Sequence, residues 1–169
     1  MACKVLAIVQ ARVSSTRLPG KVLKKVNGKP LIEILFHRLS KSKKIDEIIL
    51  ATSESSENDS LANLIKKRGY DVFRGSENDV LGRCFEAANK YQPKSVVRIT
   101  GDCPIIDSAI IDEVISFYEK ENVDYASNIN PPTYPDGLDV EVFSFYSLEE
   151  ANKKAKTSHE REHVTPFIR

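Results

Sequence analysis

Three short segments of the chain are almost continuously apolar and rich in β-branched residues. They occupy residues 4–11 (KVLAIVQA), 45–53 (IDEIILATS) and 95–102 (SVVRITGD). Runs of this length and composition are typical of strands that are buried on both faces. Strands buried in this way occur mainly in parallel sheets that are covered by helices on each side. The pattern therefore predicts three neighbouring strands at the centre of a parallel sheet.

Segments with helical periodicity separate these strands. Apolar residues recur there at spacings of three and four, which predicts amphipathic helices around 31–39, 61–65, 80–91 and 110–118. Asp79 is expected to cap the third helix, and Ser56 with Asp59 resembles a capping box for the second. Shorter strands are predicted at 70–74, 124–127 and 138–145.

The alternation of strands and helices predicts an α/β fold, a three-layer α/β/α sandwich around a mostly parallel sheet. Ligands of such sheets bind at the carboxyl ends of the strands. The loops that follow the strands are therefore where functional residues are expected. A long loop at 128–137 (NINPPTYPDG) is rich in Pro and Gly, which indicates a surface connection near this edge.

Composition narrows the classes of function. The chain has 169 residues with 41% hydrophobic and 29% charged content, which fits one globular domain. A net charge of +1 argues against nucleic acid or an anionic membrane as the partner. Cys3, Cys84 and Cys103 show no paired spacing, and no segment reads as a signal peptide or a membrane span. These features predict a cytoplasmic protein.

A cationic loop follows the first predicted strand directly. The segment ARVSSTRLPGK, residues 11–21, contains three cations, three hydroxyl groups and one glycine. Guanidinium groups pair bidentately with phosphate oxygens and a lysine adds a mobile charge, so this loop suits a polyphosphate. The alternative is a solvated basic surface loop. The cations are Arg12, Arg17 and Lys21, and the hydroxyl groups are those of Ser14, Ser15 and Thr16.

Two common phosphate-binding motifs are absent from the sequence. No G-x-G-x-x-G follows the first strand, which argues against a dinucleotide-binding site. Neither Gly20-Lys21 nor Gly28-Lys29 has the upstream glycine and the following Ser or Thr of a P-loop. Dehydrogenase and P-loop NTPase functions are therefore not expected.

Asp102 ends the third buried strand and follows Gly101. A carboxylate at this position faces the same edge of the sheet as the cationic loop, and it can hold a Mg²⁺ ion that bridges to a triphosphate. Taken alone, G-D-x-P favours a turn or a helix cap for the following segment. Together with the cationic loop, the metal interpretation is preferred.

The segment HEREH near the end of the chain fits the H-E-x-x-H signature of zinc peptidases. His159 and His163 would lie one helical turn apart, with Glu160 as the base. A catalytic zinc site needs a third protein ligand, but Pro166 interrupts any helix soon afterwards and no His or Glu follows. A charged terminal helix is therefore the preferred interpretation.

Taken together, seven segments resemble the cytidylyltransferases that activate sugars and acidic sugars such as acylneuraminate and 3-deoxy-manno-octulosonate. The likeness is closest to the branch called spore-coat polysaccharide biosynthesis protein F. The segments follow one another in order along nearly the whole chain. They are QARVSSTRLPGKVL with GKPLIE, ATS at 51–53, GSENDVLGRCFEAA, RITGDCPIID, YPDGLDVEVF and REHVTPFI.

The resemblance implies a Rossmann-like, glycosyltransferase-A-type fold and a defined reaction. Such enzymes transfer CMP from CTP to a sugar hydroxyl and release pyrophosphate, here in cell-surface or spore-coat polysaccharide synthesis. Arg12, Arg17 and Lys21 would then bind the triphosphate, and Asp102 would bind Mg²⁺; these four form the implied catalytic set. The implied nucleotide-binding residues are Ala11, Ser15, Ser53, Ser76, Asp79 and Arg83.

One departure from the family pattern concerns the second metal ligand. Family members usually continue into a final strand and an acidic segment that supplies it, whereas this sequence ends at Arg169. We therefore expect one nucleotidyltransferase domain over residues 1–169 that lacks its C-terminal end. Asp136 or Asp139 is the possible substitute, and Asp139 is taken as the second metal ligand.

Two other functions stay open on sequence alone. One is a sugar-1-phosphate nucleotidyltransferase that uses another nucleotide, and the segment GSENDVLGR is expected to control that choice of base. The other is a non-catalytic nucleotide-binding module. The resemblance also implies a possible homodimer.

Overall fold

The computed structural model describes residues 4–14 and 18–169, and in that part of the chain eight strands form two sheets. The larger sheet has six strands, and the smaller one is a two-stranded hairpin. The strands are β1 (Val5–Gln10), β2 (Lys25–Val26), β3 (Lys29–Pro30), β4 (Glu47–Ser53), β5 (Asp71–Gly75), β6 (Ser95–Thr100), β7 (Tyr125–Ser127) and β8 (Glu141–Ser144).

Six α-helices accompany the strands in the described part of the chain. Each of the four longest helices in the first two thirds follows a strand, as expected for repeated β-α units. The helices are α1 (Leu31–Leu39), α2 (Asp59–Lys67), α3 (Val80–Asn89), α4 (Ser108–Glu121), α5 (Phe145–Lys154) and α6 (Ser158–His163).

The larger sheet has the order β5-β4-β1-β6-β8-β7. Its first four strands are mutually parallel, so their carboxyl ends lie along one edge. β8 pairs antiparallel with both β6 and β7. The parallel part of the sheet therefore presents one shared edge to a ligand, with β1 and β6 at its centre.

Both faces of the sheet are covered by helices. In β1, Val5, Ala7 and Val9 point to one face and pack with α1, α2 and α4. Leu6 and Ile8 point to the other face and pack with α3 and α5. This alternation, in which every residue is buried, explains the continuous apolar run in the sequence and confirms the predicted three-layer α/β/α sandwich.

The structure also corrects several local predictions. The capping box of Ser56 with Asp59 is wrong, because a 3-10 helix occupies Ser56–Asn58 and α2 begins without a side-chain cap. The last predicted strand is shorter, since Ser144 caps α5 by accepting a hydrogen bond from the Ser147 amide. Helix α5 and the β2–β3 hairpin were not predicted. The predicted cap at Asp79 is confirmed.

No helix in the part of the chain that the structure describes combines the length and the apolar character needed to span a membrane.

Candidate functional site

The carboxyl ends of β1 and β6 meet side by side and form the floor of the candidate site. Gln10 and Thr100 are register partners, and the Gly101 amide donates to the Gln10 carbonyl oxygen at 2.8 Å. A Cβ atom on Gly101 would lie 2.4 Å from the Cβ of Ala11. Only glycine therefore allows the two strand ends to approach so closely, and this approach brings Asp102 beside the loop that follows β1.

A cavity of about 290 Å³ opens above this floor. Its lining combines four long cations with two carboxylates. The lining residues from the two strand ends and their loops are Gln10, Ala11, Arg12, Lys21, Val22, Arg98, Thr100, Gly101 and Asp102, and those from the helices are Val80, Arg83, Glu162 and His163. A cavity of this composition suits an anionic ligand better than an apolar one.

A second cavity of about 630 Å³ adjoins the first one. The two share Arg12, Val80 and Glu162 in their linings, so they form one continuous depression. The remaining wall consists of residues 76–79, which connect β5 to α3, together with Ser158 and Arg161 near the end of the chain. The first of the joined cavities is rich in cations, whereas the second is larger and is lined by both cations and carboxylates.

Lys21 and Asp102 form an ion pair at the rim of the first cavity. The Lys21 Nζ atom lies 2.6 Å from Asp102 Oδ2, and both side chains remain partly exposed. Burial by itself would raise the pKa of Asp102, but the hydrogen bonds from Lys21 and Thr100 outweigh it and lower that pKa below its ordinary value. Asp102 is thus ionised, and one of its oxygens is already placed to hold a cation.

Asp139 lies within electrostatic range of Asp102 but does not line either cavity. Burial raises the pKa of Asp139, and the charges of Asp136, Glu141 and Asp102 raise it further. The loop that carries Asp136 and Asp139 therefore brings negative charge towards the cavity. Among the described residues no group of three or more His, Cys, Asp or Glu side chains is arranged to hold a metal ion by itself.

Arg83 is a buried cation without a buried anion. It lies in α3, is 2% exposed, and forms no ion pair with a carboxylate of the described residues. Its Nη1 atom donates to the carbonyl oxygens of Ser76 and Glu77, whereas its buried Nε has no partner there. Burial lowers the pKa of the guanidinium, although the nearby charges of Glu77 and Asp79 oppose that shift without forming an ion pair with it. A buried charge in this condition costs several kcal/mol unless an anion compensates it.

Arg98 is the contrasting case on the same cavity wall. Its guanidinium donates to the Glu141 carboxylate, and it also donates to Gln10 Oε1 at 2.9 and 3.2 Å. Glu141 is 3% exposed and receives further hydrogen bonds from the hydroxyls of Tyr125 and Thr165. Burial opposes the ionised form of Glu141, but the Arg98 charge and these hydrogen bonds lower its pKa. The positive charge of Arg98 and the negative charge of Glu141 therefore compensate each other within this network.

Glu77 joins the ends of three strands. Its Oε1 atom accepts from Ser14 Oγ at 2.7 Å and from Arg12 Nη1 at 3.2 Å, both in the loop after β1. Its Oε2 atom accepts from the hydroxyl of Ser53 at the end of β4. These hydrogen bonds, with that from Ser53 the largest effect, lower the pKa of Glu77. Asn58 stabilises this arrangement by donating to Ser53 Oγ at 2.8 Å.

Asp79 has two structural partners. It caps α3 by accepting from the Gly82 amide at 2.9 Å, and it forms a bidentate ion pair with Arg161 of α6. A Cβ atom on Gly82 would lie 2.4 Å from Asp79 Oδ2 and 3.0 Å from Arg161 Nη2, so glycine makes room for this pair. Arg161 also donates to the side chain and carbonyl of Asn152. Helix α6 thereby fixes the loop at 76–79.

The HEREH segment forms the short helix α6, as the preferred interpretation predicted. Glu160 completes a capping box with Thr157, accepting from the Thr157 amide at 2.9 Å while its own amide donates to Thr157 Oγ1. The rings of His159 and His163 lie 4.6 Å apart, centroid to centroid. Since Glu160 is engaged by the cap, the role of a peptidase base is not supported by its contacts.

The structure brings most of the predicted site residues to this edge of the sheet. Ala11, Arg12, Lys21, Arg83 and Asp102 line the first cavity, and Ser76 and Asp79 line the second. Ser53 is buried and reaches the second cavity only through Glu77. Ser15 and Arg17 lie outside the described residues, so their roles stay predictions.

Sequence reasoning missed several residues that the cavities present. Gln10 and Arg98 belong to strands whose apolar runs hid them, although an arginine within such a run was itself a signal. Glu77 stood within the quoted GSENDVLGR segment without a role. For Arg161, Glu162 and His163 of the REHVTPFI segment, the resemblance indicated a structural role or a place near the sugar pocket without individual roles, and the structure places all three in the cavity linings.

Comparisons with known proteins agree with this geometry. The chain matches the family described as Cytidylyltransferase over residues 6–169. An uncharacterized protein of Methanocaldococcus jannaschii is 46% identical over 165 residues, which is 98% of this chain and 67% of that protein. The spore coat polysaccharide biosynthesis protein SpsF of Bacillus subtilis is 36% identical over 170 residues, which is 98% of this chain and 70% of that protein.

A solved structure gives the same result. The cytidylyltransferase from Leptospira borgpetersenii superposes with a TM-score of 0.92 at 35% sequence identity, covering 98% of this chain and 71% of that one. The resemblance seen in the sequence is thereby confirmed over nearly the full chain, in sequence and in fold. The protein belongs to the cytidylyltransferase family of nucleotidyltransferases.

Proposed function

We propose that this site binds CTP and transfers its CMP group to a sugar hydroxyl with release of pyrophosphate. The observation that carries the proposal is the buried Arg83 guanidinium, which is 2% exposed and has no carboxylate partner among the described residues. It lines the same cavity as Arg12 and Lys21. Such a concentration of positive charge is stabilised when an anionic group binds there, as the phosphates of a nucleotide would.

The chain supplies the charges that this reaction needs. Attack of a hydroxyl on the α-phosphorus forms one P–O bond, breaks the bond to the leaving pyrophosphate and increases negative charge on their oxygens. Arg12 and Lys21 would stabilise that charge after exchanging their contacts with Glu77 and Asp102 for phosphate. Both pairs are partly exposed, and exposed pairs are worth only about 0–1 kcal/mol, so the exchange costs little.

Mg²⁺ fits the donor set at this edge. Asp102 offers ionised carboxylate oxygens, and Asp139 lies within electrostatic range of it. Mg²⁺ is usually bound by one or two carboxylates together with substrate phosphates, so a complete protein cage is not required. When bound, Mg²⁺ neutralises charge on the phosphate oxygens. We therefore propose Asp102 as the metal ligand and Asp139 as a second ligand.

The acceptor is proposed from the family and from the cavity charge. The related Bacillus subtilis protein is named for spore coat polysaccharide biosynthesis, which favours a sugar of a cell-surface polysaccharide. The four cations that line the first cavity outnumber its two carboxylates, which favours an acidic sugar over a neutral one. The proposed compartment is the cytoplasm, and a homodimer remains a prediction of the resemblance.

The test combines nucleotide binding with turnover. The full chain is titrated calorimetrically with CTP, UTP, GTP and ATP, each with and without Mg²⁺. Pyrophosphate release from CTP is then measured with acidic sugars, beginning with 3-deoxy-manno-octulosonate and N-acetylneuraminate. We expect Mg²⁺-dependent binding with a preference for CTP, and pyrophosphate release with an acidic sugar. Equal binding of all four nucleotides, or of none, contradicts the proposal, and binding without release indicates a nucleotide-binding module.

A further inference from the structure

Glu77 lines the larger cavity and has one hydrogen-bonding position without a partner among the described residues. Oε1 receives two hydrogen bonds, whereas Oε2 receives one from the described residues, that of Ser53. A carboxylate oxygen can accept two hydrogen bonds. The side chain is 32% exposed and lines the larger cavity, so the open position is accessible to a ligand there.

The direction of the carboxylate is fixed from both sides. Ser14 and Arg12 hold Oε1, and Ser53 holds Oε2 while receiving a hydrogen bond itself from Asn58. When Arg12 exchanges its contact for phosphate, Ser14 and Ser53 still hold one carboxylate oxygen each, so the side chain cannot turn away from a ligand without losing two hydrogen bonds. An acceptor that is held this rigidly can discriminate between ligands, because a mismatched group cannot be accommodated by rotation.

We propose that Glu77 selects the base of the nucleotide by accepting a hydrogen bond from an exocyclic amino group, so that cytosine is preferred to uracil. The inference rests on the proposed function, since it requires that a nucleotide occupies the joined cavities. The phosphates would occupy the cation-rich first cavity, which leaves the second cavity, with Glu77 in its wall, for the ribose and the base.

The chemistry of the two pyrimidines decides the preference. Cytosine presents an amino donor at position 4, whereas uracil presents a carbonyl acceptor there, as thymine does in DNA. An ionised carboxylate has no hydrogen to donate, so it would face the uracil oxygen with lone pairs opposed. The hydrogen bonds from Ser53 and Ser14 lower the pKa of Glu77, which keeps the group ionised and acceptor-only at neutral pH.

The first experiment compares the two pyrimidine nucleotides in matched variants. The full chain, Glu77→Gln and Glu162→Gln are each titrated with CTP and with UTP in the presence of Mg²⁺. Glu162 is the control because it is another carboxylate that lines both cavities. The measured quantity is the Kd for UTP divided by the Kd for CTP. Glu77→Gln also alters the contact with Arg12, but this change affects the binding of CTP and UTP alike and therefore cancels in the ratio.

The wild-type ratio is expected to be at least about tenfold, and Glu77→Gln is expected to reduce it by about tenfold or more, because an amide can also donate to the uracil oxygen. Glu162→Gln is expected to leave the ratio unchanged. A ratio that Glu77→Gln does not alter, or that Glu162→Gln reduces equally, overturns the inference. A wild-type chain that binds no nucleotide instead contradicts the proposed function.

A second measurement uses the wild-type chain alone and does not depend on the folding of a variant. The triphosphate of the 2-pyrimidinone riboside carries a hydrogen in place of the cytosine amino group. We expect it to bind more weakly than CTP, since the donor is missing, but more tightly than UTP, since the opposing oxygen is also missing. Binding equal to that of CTP would show that the amino group is not recognised.

Discussion

Two arginines on the same cavity wall, one buried and one partly buried, differ in how the protein compensates their charges. Arg98 keeps 12% of its side chain exposed and pairs with Glu141, whose carboxylate is also held by Tyr125 and Thr165. Arg83 is buried more deeply and has no carboxylate partner among the described residues. The protein pairs the first charge with a buried carboxylate, whereas the second has no ion-pair partner in the described part of the chain. The absence of an ion-pair partner, rather than burial, is what distinguishes Arg83 from Arg98 and supports its proposed role in nucleotide binding.

The largest predicted effect separates the two arginines by their stability. Arg98→Met leaves the Glu141 carboxylate buried without its main partner and is expected to lower the free energy of unfolding by about 3 kcal/mol. The same substitution at Arg83 removes a buried charge that has no ion-pair partner among the described residues, and it should leave that free energy unchanged or higher. Urea unfolding of both variants measures this difference. Similar losses in the free energy of unfolding would contradict it.

The same network predicts a dependence of stability on pH. The pKa of Glu141 is lowered in the folded state from its ordinary value of 4.5. Its contribution is therefore fully present above that value and is lost as the pH falls through the lower folded-state pKa. Urea unfolding over this acidic range should show a steeper fall for the wild type than for Glu141→Gln. If the stability of the two proteins falls in parallel with pH, Glu141 is not the source of this pH dependence.

A smaller effect is expected where a cation pairs with a partly exposed carboxylate. Lys21→Ala breaks only a rim contact with Asp102, so stability should change little. Binding of CTP should weaken by roughly 1.5–3 kcal/mol, as for a charged hydrogen bond. Lys25→Ala, on the exposed hairpin, is the matched control for calorimetry. Equal CTP affinity in both variants and the wild type would contradict the role of Lys21.

The smallest predicted effect concerns Arg161, which acts on the site through Asp79. Arg161→Lys keeps the charge but cannot make the bidentate contact. The loop at 76–79 should then be held less firmly, and CTP binding should weaken by about 1 kcal/mol, or roughly fivefold. Asp79→Asn in the same background should add little further loss. Additive losses in a double-mutant cycle would show that the two residues act independently.

Much of the fold was predictable because its central strands are buried on both faces. The continuous apolar run of β1 has one interpretation once its length is considered, and the helical periodicities between the strands complete the sandwich. Helix α5 was not predicted, since its start depends on Ser144, which resembles the end of a strand until the cap is seen. Caps depend on individual hydrogen bonds rather than on periodicity.

The candidate site was predictable where residues follow strand ends. Lys21 and Asp102 were expected at one edge, and the structure places them in contact at 2.6 Å. Contacts between distant segments were not predictable, because the pairing of Arg161 with Asp79 joins residues 82 positions apart. The lack of an ion-pair partner for Arg83 among the residues that the structure describes is likewise visible only in three dimensions. Sequence can indicate which charges are present, but not which of them are compensated.

Arg83, a buried cation without an ion-pair partner among the described residues, is expected to bind the phosphates of the nucleotide, and one titration tests this role most directly. Wild type and Arg83→Met are titrated with CTP in the presence of Mg²⁺, after urea unfolding has shown that the variant is folded. We predict that the variant binds CTP at least about tenfold more weakly, as expected from the loss of a charged hydrogen bond. Equal affinity of a folded Arg83→Met variant and the wild type would contradict the account.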